Sequence, residues 1–215
     1  MKNFKDWYFL EDLAAGVQAD VKAALPPGVT VPPVFHNIEA AKMALSLPNG
    51  TVIAFDFDQT LTSTTVMLVD GKMEEHGSGE PYGEVINHLF THNKLGHKVI
   101  VITARVVGAQ LNDPAHPHKI SCEEFVQQHN LPIQAIKYSG KAVDPTTGKK
   151  TAVPKGPMMK EMSAQALYDD NANMVASAHA IGALGVLVKK KIVAAPKPAA
   201  VQTGGQGLAW DWTIR

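Results

Sequence analysis

The sequence predicts an α/β fold built on a mainly parallel sheet, and three observations predict it. Two short runs, TVIAFDF (51–57) and HKVIVITA (97–104), are dense in β-branched and aromatic residues. Such runs suit strands buried on both faces. Similar runs follow at IQAIKY (133–138), QALYD (165–169) and GVLVK (185–189). Helix-like stretches separate these five strands, and that alternation implies parallel pairing through right-handed crossovers.

Each element has its own justification. In the first 50 residues, Phe4, Trp7, Tyr8, Leu10, Leu13 and Val17 recur at three- and four-residue steps, as on one helix face. Pro26, Pro27 and Gly28 stop that helix, and Pro32-Pro33 punctuate again. A second helix is expected from about Asn37 to Leu47, ending before Pro48-Asn49-Gly50. This helical pair either packs on the core, the favoured reading, or serves as a lid or docking arm. The helices between strands are expected at 82–92, 121–129, 157–163 and 171–181. From Ile192 the composition turns to Ala, Pro and Gly, as in a linker. The chain ends in LAWDWTIR, whose two tryptophans offer a docking segment. The expected organisation is therefore a helical arm (1–50), a core (51–191) and a tail (192–215).

Composition narrows the function. The chain has 215 residues, with 20 Lys+Arg balanced by 20 Asp+Glu, which argues against a globally basic nucleic-acid binder. The lone cysteine, Cys122, rules out an intrachain disulfide and a Cys-rich zinc module. No apolar run reaches the ~20 residues of a spanning helix, and no secretory h-region is visible near the N-terminus. The expectation is a cytoplasmic protein with no membrane association. His88 and His92 share a helix face but lack the acid of a zinc-protease motif. His116, His118 and Cys122 lie in a Pro-punctuated turn without an evident fourth ligand. No P-loop is present.

The chemistry concentrates in FDFDQTLT (55–62), at the end of the first strand. Sites in open α/β sheets lie beyond the carboxyl ends of strands. Asp56 and Asp58 are two apart and point to one side of an extended chain. Such close like charges want a cation, and Mg²⁺ suits an all-oxygen site. The second strand ends in Thr103-Ala104-Arg105, whose hydroxyl and backbone N–H groups can hold phosphate oxygens. Lys155 sits where a loop enters a helix, and Asp169-Asp170 end the fourth strand.

These residues resemble the four motifs of the haloacid dehalogenase-like superfamily over about residues 51–189, in order. The resemblance implies a Rossmann-like core and a Mg²⁺-dependent phosphomonoester hydrolase. Asp56 would be the nucleophile and Asp58 the acid and base. Thr103 would bind the phosphoryl group, joined by Thr60, Ala104 and Arg105. Lys155 would brace the charge, with Lys160 as the alternative lysine. Asp56, the Asp58 carbonyl, Asp169 and Asp170 would hold the metal. An acid at position 58 favours phosphatase or phosphotransferase chemistry over dehalogenation. A phosphotransferase using the same aspartyl-phosphate and a non-catalytic binding module on this fold are the alternatives. A receiver domain fits less well, because its acidic pair comes early rather than at 169–170.

Two inserts bear on substrate. Residues 63–98 have room for a hairpin turning at Asp70-Gly71, and KAVDPTTGKKTAVPK for one at Thr147-Gly148. Neither makes a full cap domain, so an open site for a large substrate, or a lid supplied in trans, is expected. Residues 137–160 hold six lysines against one acid, Asp144. That excess suits a polyanion such as a nucleic-acid end, or equally a solvated loop. The N-terminal arm and the tail are candidate protein-docking segments.

Overall fold

The computed structural model describes residues 25, 27–69, 72–105, 120–143, 148 and 150–193. The expected helix over residues 4–17, the turn at Asp70-Gly71, Thr147, the 116–118 histidines and the tryptophan tail lie outside the described residues.

The described elements run α1 (Ile38–Leu45), β1 (Val52–Phe55), β2 (Thr62–Val69), β3 (Lys72–Pro81), α2 (Gly83–Lys94), β4 (Lys98–Thr103), α3 (Cys122–Gln128), β5 (Ile133–Tyr138), β6 (Lys141–Val143), β7 (Lys150–Ala152), α4 (Gly156–Glu161), β8 (Ala164–Asp169), α5 (Ala172–His179), β9 (Leu184–Leu187) and β10 (Ile192–Val193). Five of these strands form the central sheet in the order β5-β4-β1-β8-β9. All four pairings within it are parallel. The expected α/β class with a parallel, helix-flanked sheet is what the chain adopts.

Period-two alternation divides each central strand between two cores. Ile53, Phe55, Val99, Val101 and Tyr168 face one side, with Phe35, Ala41 and Ala44 by α1, Val85 and Leu89 of α2, and Phe125 of α3. Ala54, Ile100, Ile102 and Leu167 face the other, against Met159 of α4 and Met174 and Ala178 of α5. Both faces are covered, which is why β1 and β4 read as unbroken apolar runs. The second expected helix, α1, thus belongs to the core, and a bridge from Phe35 to Val188 ties its approach to the sheet.

Local signals start the helices. The Asn37 side chain accepts from the Ala40 N–H at 3.1 Å. Ser121 and Glu124 form a reciprocal capping box at α3. Asn171 accepts from the Asn173 N–H at 2.9 Å at the start of α5.

Both expected hairpins are present: β2 pairs antiparallel with β3, and β6 with β7. A difference appears at the C-terminal boundary. Ile192 and Val193 pair parallel with Thr64 and Thr65 of β2, so ordered pairing runs two residues past the expected end at 191. The stretch is too short to carry a strand signal of its own; β2 supplies the template. No described helix is long and apolar enough to cross a membrane.

Candidate functional site

Sheet order fixes where a site belongs. The order in which strands are added reverses between β1 and β8: β4 and β5 are laid down on one side of β1, β8 and β9 on the other. At such a switch point the loops leaving the carboxyl ends diverge and open a crevice. Asp56 follows β1 directly, and its N–H donates to the Tyr168 carbonyl at 2.8 Å. Asp169 ends β8 and Thr103 ends β4. All three therefore stand at one edge of the sheet.

The crevice is a cavity of about 360 Å³, lined among others by Asp56, Asp58, Thr103, Ala104, Arg105, Lys155, Asp169 and Asp170. These are eight of the nine residues the sequence singled out. The ninth, Thr60, is fully buried and does not line the cavity. Its hydroxyl oxygen accepts from the Asp170 N–H at 3.1 Å. Thr60 thus ties the loop after β1 to the loop after β8.

Lys155 lies at the centre. It precedes α4 and is 1% exposed. Its ammonium donates to Asp56 Oδ1 and, at 2.7 Å, to Asp169 Oδ2. Lys160, the alternative lysine, is exposed at the end of α4. Burial opposes the Lys155 charge, but Asp56 and Asp169 outweigh it and hold its pKa above the usual lysine value. Burial raises Asp56 to about 7, against the pull of Lys155. It raises Asp170 to about 6, with help from the Asp56 charge. Asp169 is also raised by burial, with Lys155 opposing, while its Oδ1 accepts from the Asn171 N–H at 2.8 Å.

Asp56, Asp169 and Asp170 each offer an oxygen, all within 4.8 Å of one another. Three buried or half-buried carboxylates at that spacing repel, and the Lys155 ammonium meets only part of their charge. An all-oxygen donor set of this kind suits a hard divalent cation such as Mg²⁺. The residues therefore fit the metal that the sequence suggested.

Asp58 stands apart from this cluster. Both of its oxygens accept from Arg105, Oδ2 from Nε at 2.7 Å and Oδ1 from Nη2 at 2.6 Å. Thr103 is buried, and its Oγ1 accepts from the Arg105 N–H at 3.2 Å.

Sequence reasoning missed several cavity residues. Glu75 and Gly77 alternate onto one face of β3 and reach the cavity from the hairpin. Lys190, just beyond β9, pairs with Glu75 at 2.5 Å and approaches Asp170 at 3.5 Å. Its position after the last parallel strand was the available signal. Glu75 and Gly77 had none, because the register of the hairpin puts them there. Lys141, one of the six lysines counted over 137–160, lines the cavity as well.

His88 and His92, weighed above as metal ligands, serve the core. Each places Nε2 at 2.8 Å from the Tyr168 hydroxyl, and His92 Nδ1 lies 2.8 Å from His97 Nδ1.

No protein-family model matches this chain, and no curated protein matches it.

Proposed function

We propose that this protein is a Mg²⁺-dependent phosphomonoester hydrolase of the haloacid dehalogenase-like type, working through an aspartyl-phosphate. One observation carries the reading. A buried lysine bridges the carboxylates of Asp56 and Asp169 at the switch point of a parallel sheet, with Asp170 beside them. That arrangement suits a nucleophilic carboxylate meeting a phosphoryl group whose negative charge must be offset.

In the first step an Asp56 oxygen attacks phosphorus and the bond from phosphorus to the ester oxygen breaks. Asp58, whose two oxygens accept from Arg105 in this structure, must first take up a proton, which it then gives to the leaving oxygen. In the second step water attacks the acyl phosphate and Asp58 takes the water proton. The bond from phosphorus to Asp56 then breaks, and phosphate leaves with Asp56 restored. Thr103, Ala104 and Arg105 line the phosphate side, and Lys155 offsets charge on Asp56 and the phosphoryl oxygens. The Asp56, Asp169 and Asp170 carboxylates, with the Asp58 carbonyl, would hold Mg²⁺, which would supply further charge neutralisation. Thr60 keeps the two acid-bearing loops in register. Arg105, Lys141 and Lys190 line the same cavity beside five acids, so a bound divalent cation would be needed to make it favour an anionic substrate. Among the described residues two small hairpins are the additions near the site, which suits access by a large phosphorylated substrate.

Hydrolysis of an aryl phosphate with Mg²⁺ and with chelator, for wild type and Asp56→Asn, tests the proposal. Turnover that needs the metal and is lost in Asp56→Asn is expected. Turnover that survives the substitution or the chelator would remove the basis for it.

A further inference from the structure

Asp58 is held in a slot whose walls do not depend on it. The Arg105 guanidinium is 6% exposed and rests 4.5 Å from the centre of the Phe57 ring. Its Nη1 donates to the Ile120 carbonyl, and its backbone N–H is anchored on Thr103. Two contacts thus hold the guanidinium besides its fork on Asp58, and a third anchors its backbone. The opposite wall is Gly77 of β3. A Cβ there would lie 2.4 Å from Asp58 Oδ1 and 2.8 Å from Thr62 Oγ1, so only glycine leaves room for the carboxylate. The main chain is held as well. Gln59 adopts φ 64°, and its N–H donates to Thr62 Oγ1 at 3.1 Å.

The three clustered acids line the same cavity, with Asp58 near enough for its charge to act on Asp56. A divalent cation in that cluster attracts any carboxylate free to swing toward it. Asp58 is not free. We infer that Arg105 and Gly77 are positioning residues that keep the Asp58 carboxylate out of the metal's coordination shell. This inference rests on the proposed function and gives the β2–β3 hairpin a role: it forms a wall of the site rather than a cover.

The test is calorimetric titration of the full chain with Mn²⁺, with no substrate present. It uses wild type, Gly77→Ala and Arg105→Lys, each alone and combined with Asp58→Asn. Gly77→Ala crowds the carboxylate out of the slot without changing charge. Arg105→Lys keeps the charge and loses the fork. Each should tighten Mn²⁺ binding, on the order of tenfold for a recruited carboxylate ligand, and the gain should vanish in the Asp58→Asn background. A merely structural role weakens binding or leaves it unmoved. Wild-type binding with no gain in either variant would overturn the inference and leave the phosphohydrolase standing. A gain that persists in Asp58→Asn would also overturn it. Absence of binding to wild type would remove the metal-dependent reading and this inference with it.

Discussion

Replacing His88 by phenylalanine should make the fold markedly less sensitive to acid. Hydrogen-bond chemistry fixes the order of protons in the chain that His88 ends. The Leu47 carbonyl can only accept, so His97 Nε2, 2.8 Å away, must donate to it. With all three rings neutral, His97 Nδ1 then accepts from His92 Nδ1, and His92 Nε2 accepts from the Tyr168 hydroxyl. The tyrosine oxygen in turn accepts from His88 Nε2. His88 Nδ1 is left as a buried acceptor without a partner. A proton added there finds no acceptor, and the rings packed on His88, those of Phe35, His92 and Tyr168, offer no counter-charge.

Burial lowers His88 from 6.5 to about 4, and lowers His92 well below 6.5, with the charges of His88 and His97 adding to the effect. The folded state resists a proton that the unfolded chain takes up. Stability from His88 is therefore fully present above pH 6.5 and is lost as pH falls toward 4. The drop is worth about 3 kcal/mol. Asp56 and Asp170 act in the opposite sense. Raised above 3.8, they penalise the fold at neutral pH and release that penalty as pH falls. Comparing wild type with His88→Phe cancels their contribution. Phenylalanine keeps the ring packing, and Tyr168 still donates to His92. Urea unfolding at pH 7 and pH 4 should show wild type losing about 3 kcal/mol more than the variant. Parallel losses would refute the proton order argued above.

Other consequences follow from the packing and the acid cluster. Lys155→Met leaves Asp56 and Asp169 buried without their shared cation. The metal-free protein should lose about 3–5 kcal/mol in denaturant, and millimolar Mg²⁺ should restore part of it; unchanged stability would show that the ion pairs contribute nothing. Gly156→Ala would put a Cβ 2.4 Å from the Ser177 carbonyl oxygen, where α4 meets α5. It should cost about 1–3 kcal/mol. A Cβ at Gly83 meets nothing within 4 Å, so Gly83→Ala should be nearly neutral when both variants are unfolded in urea.

The parts of the fold legible in the sequence are those fixed by local pattern. Strands β1 and β4 are buried on both faces, so nearly every residue in them had to be apolar. The acids placed directly after β1 and at the end of β8 then marked the carboxyl edge of the sheet. Contacts between distant segments left no such trace. Tyr168 meets His88 and His92 across 80 and 76 residues. Two histidines on one helix face lacked the acid of a zinc-protease motif, but their actual partner was not readable from the sequence. Gly77 and Glu75 enter the cavity through the register of β3 on β2, which a shift of one residue would reverse. Strand β10 exists because β2 offers it an edge. Lys155 and Lys160 are separated by placement: one precedes α4 beneath the acids, and the other ends that helix in solvent.

The central claim is that Asp56 carries the phosphoryl group. The most direct measurement is peptide mass spectrometry of Asp58→Asn, acid-quenched during turnover of an aryl phosphate with Mg²⁺. That substitution should slow breakdown of the intermediate. The account predicts a phosphoryl adduct on the peptide bearing Asp56, absent when Asp56→Asn is added. Phosphoryl label on any other residue, or turnover in Asp58→Asn that leaves no label on Asp56, would contradict it.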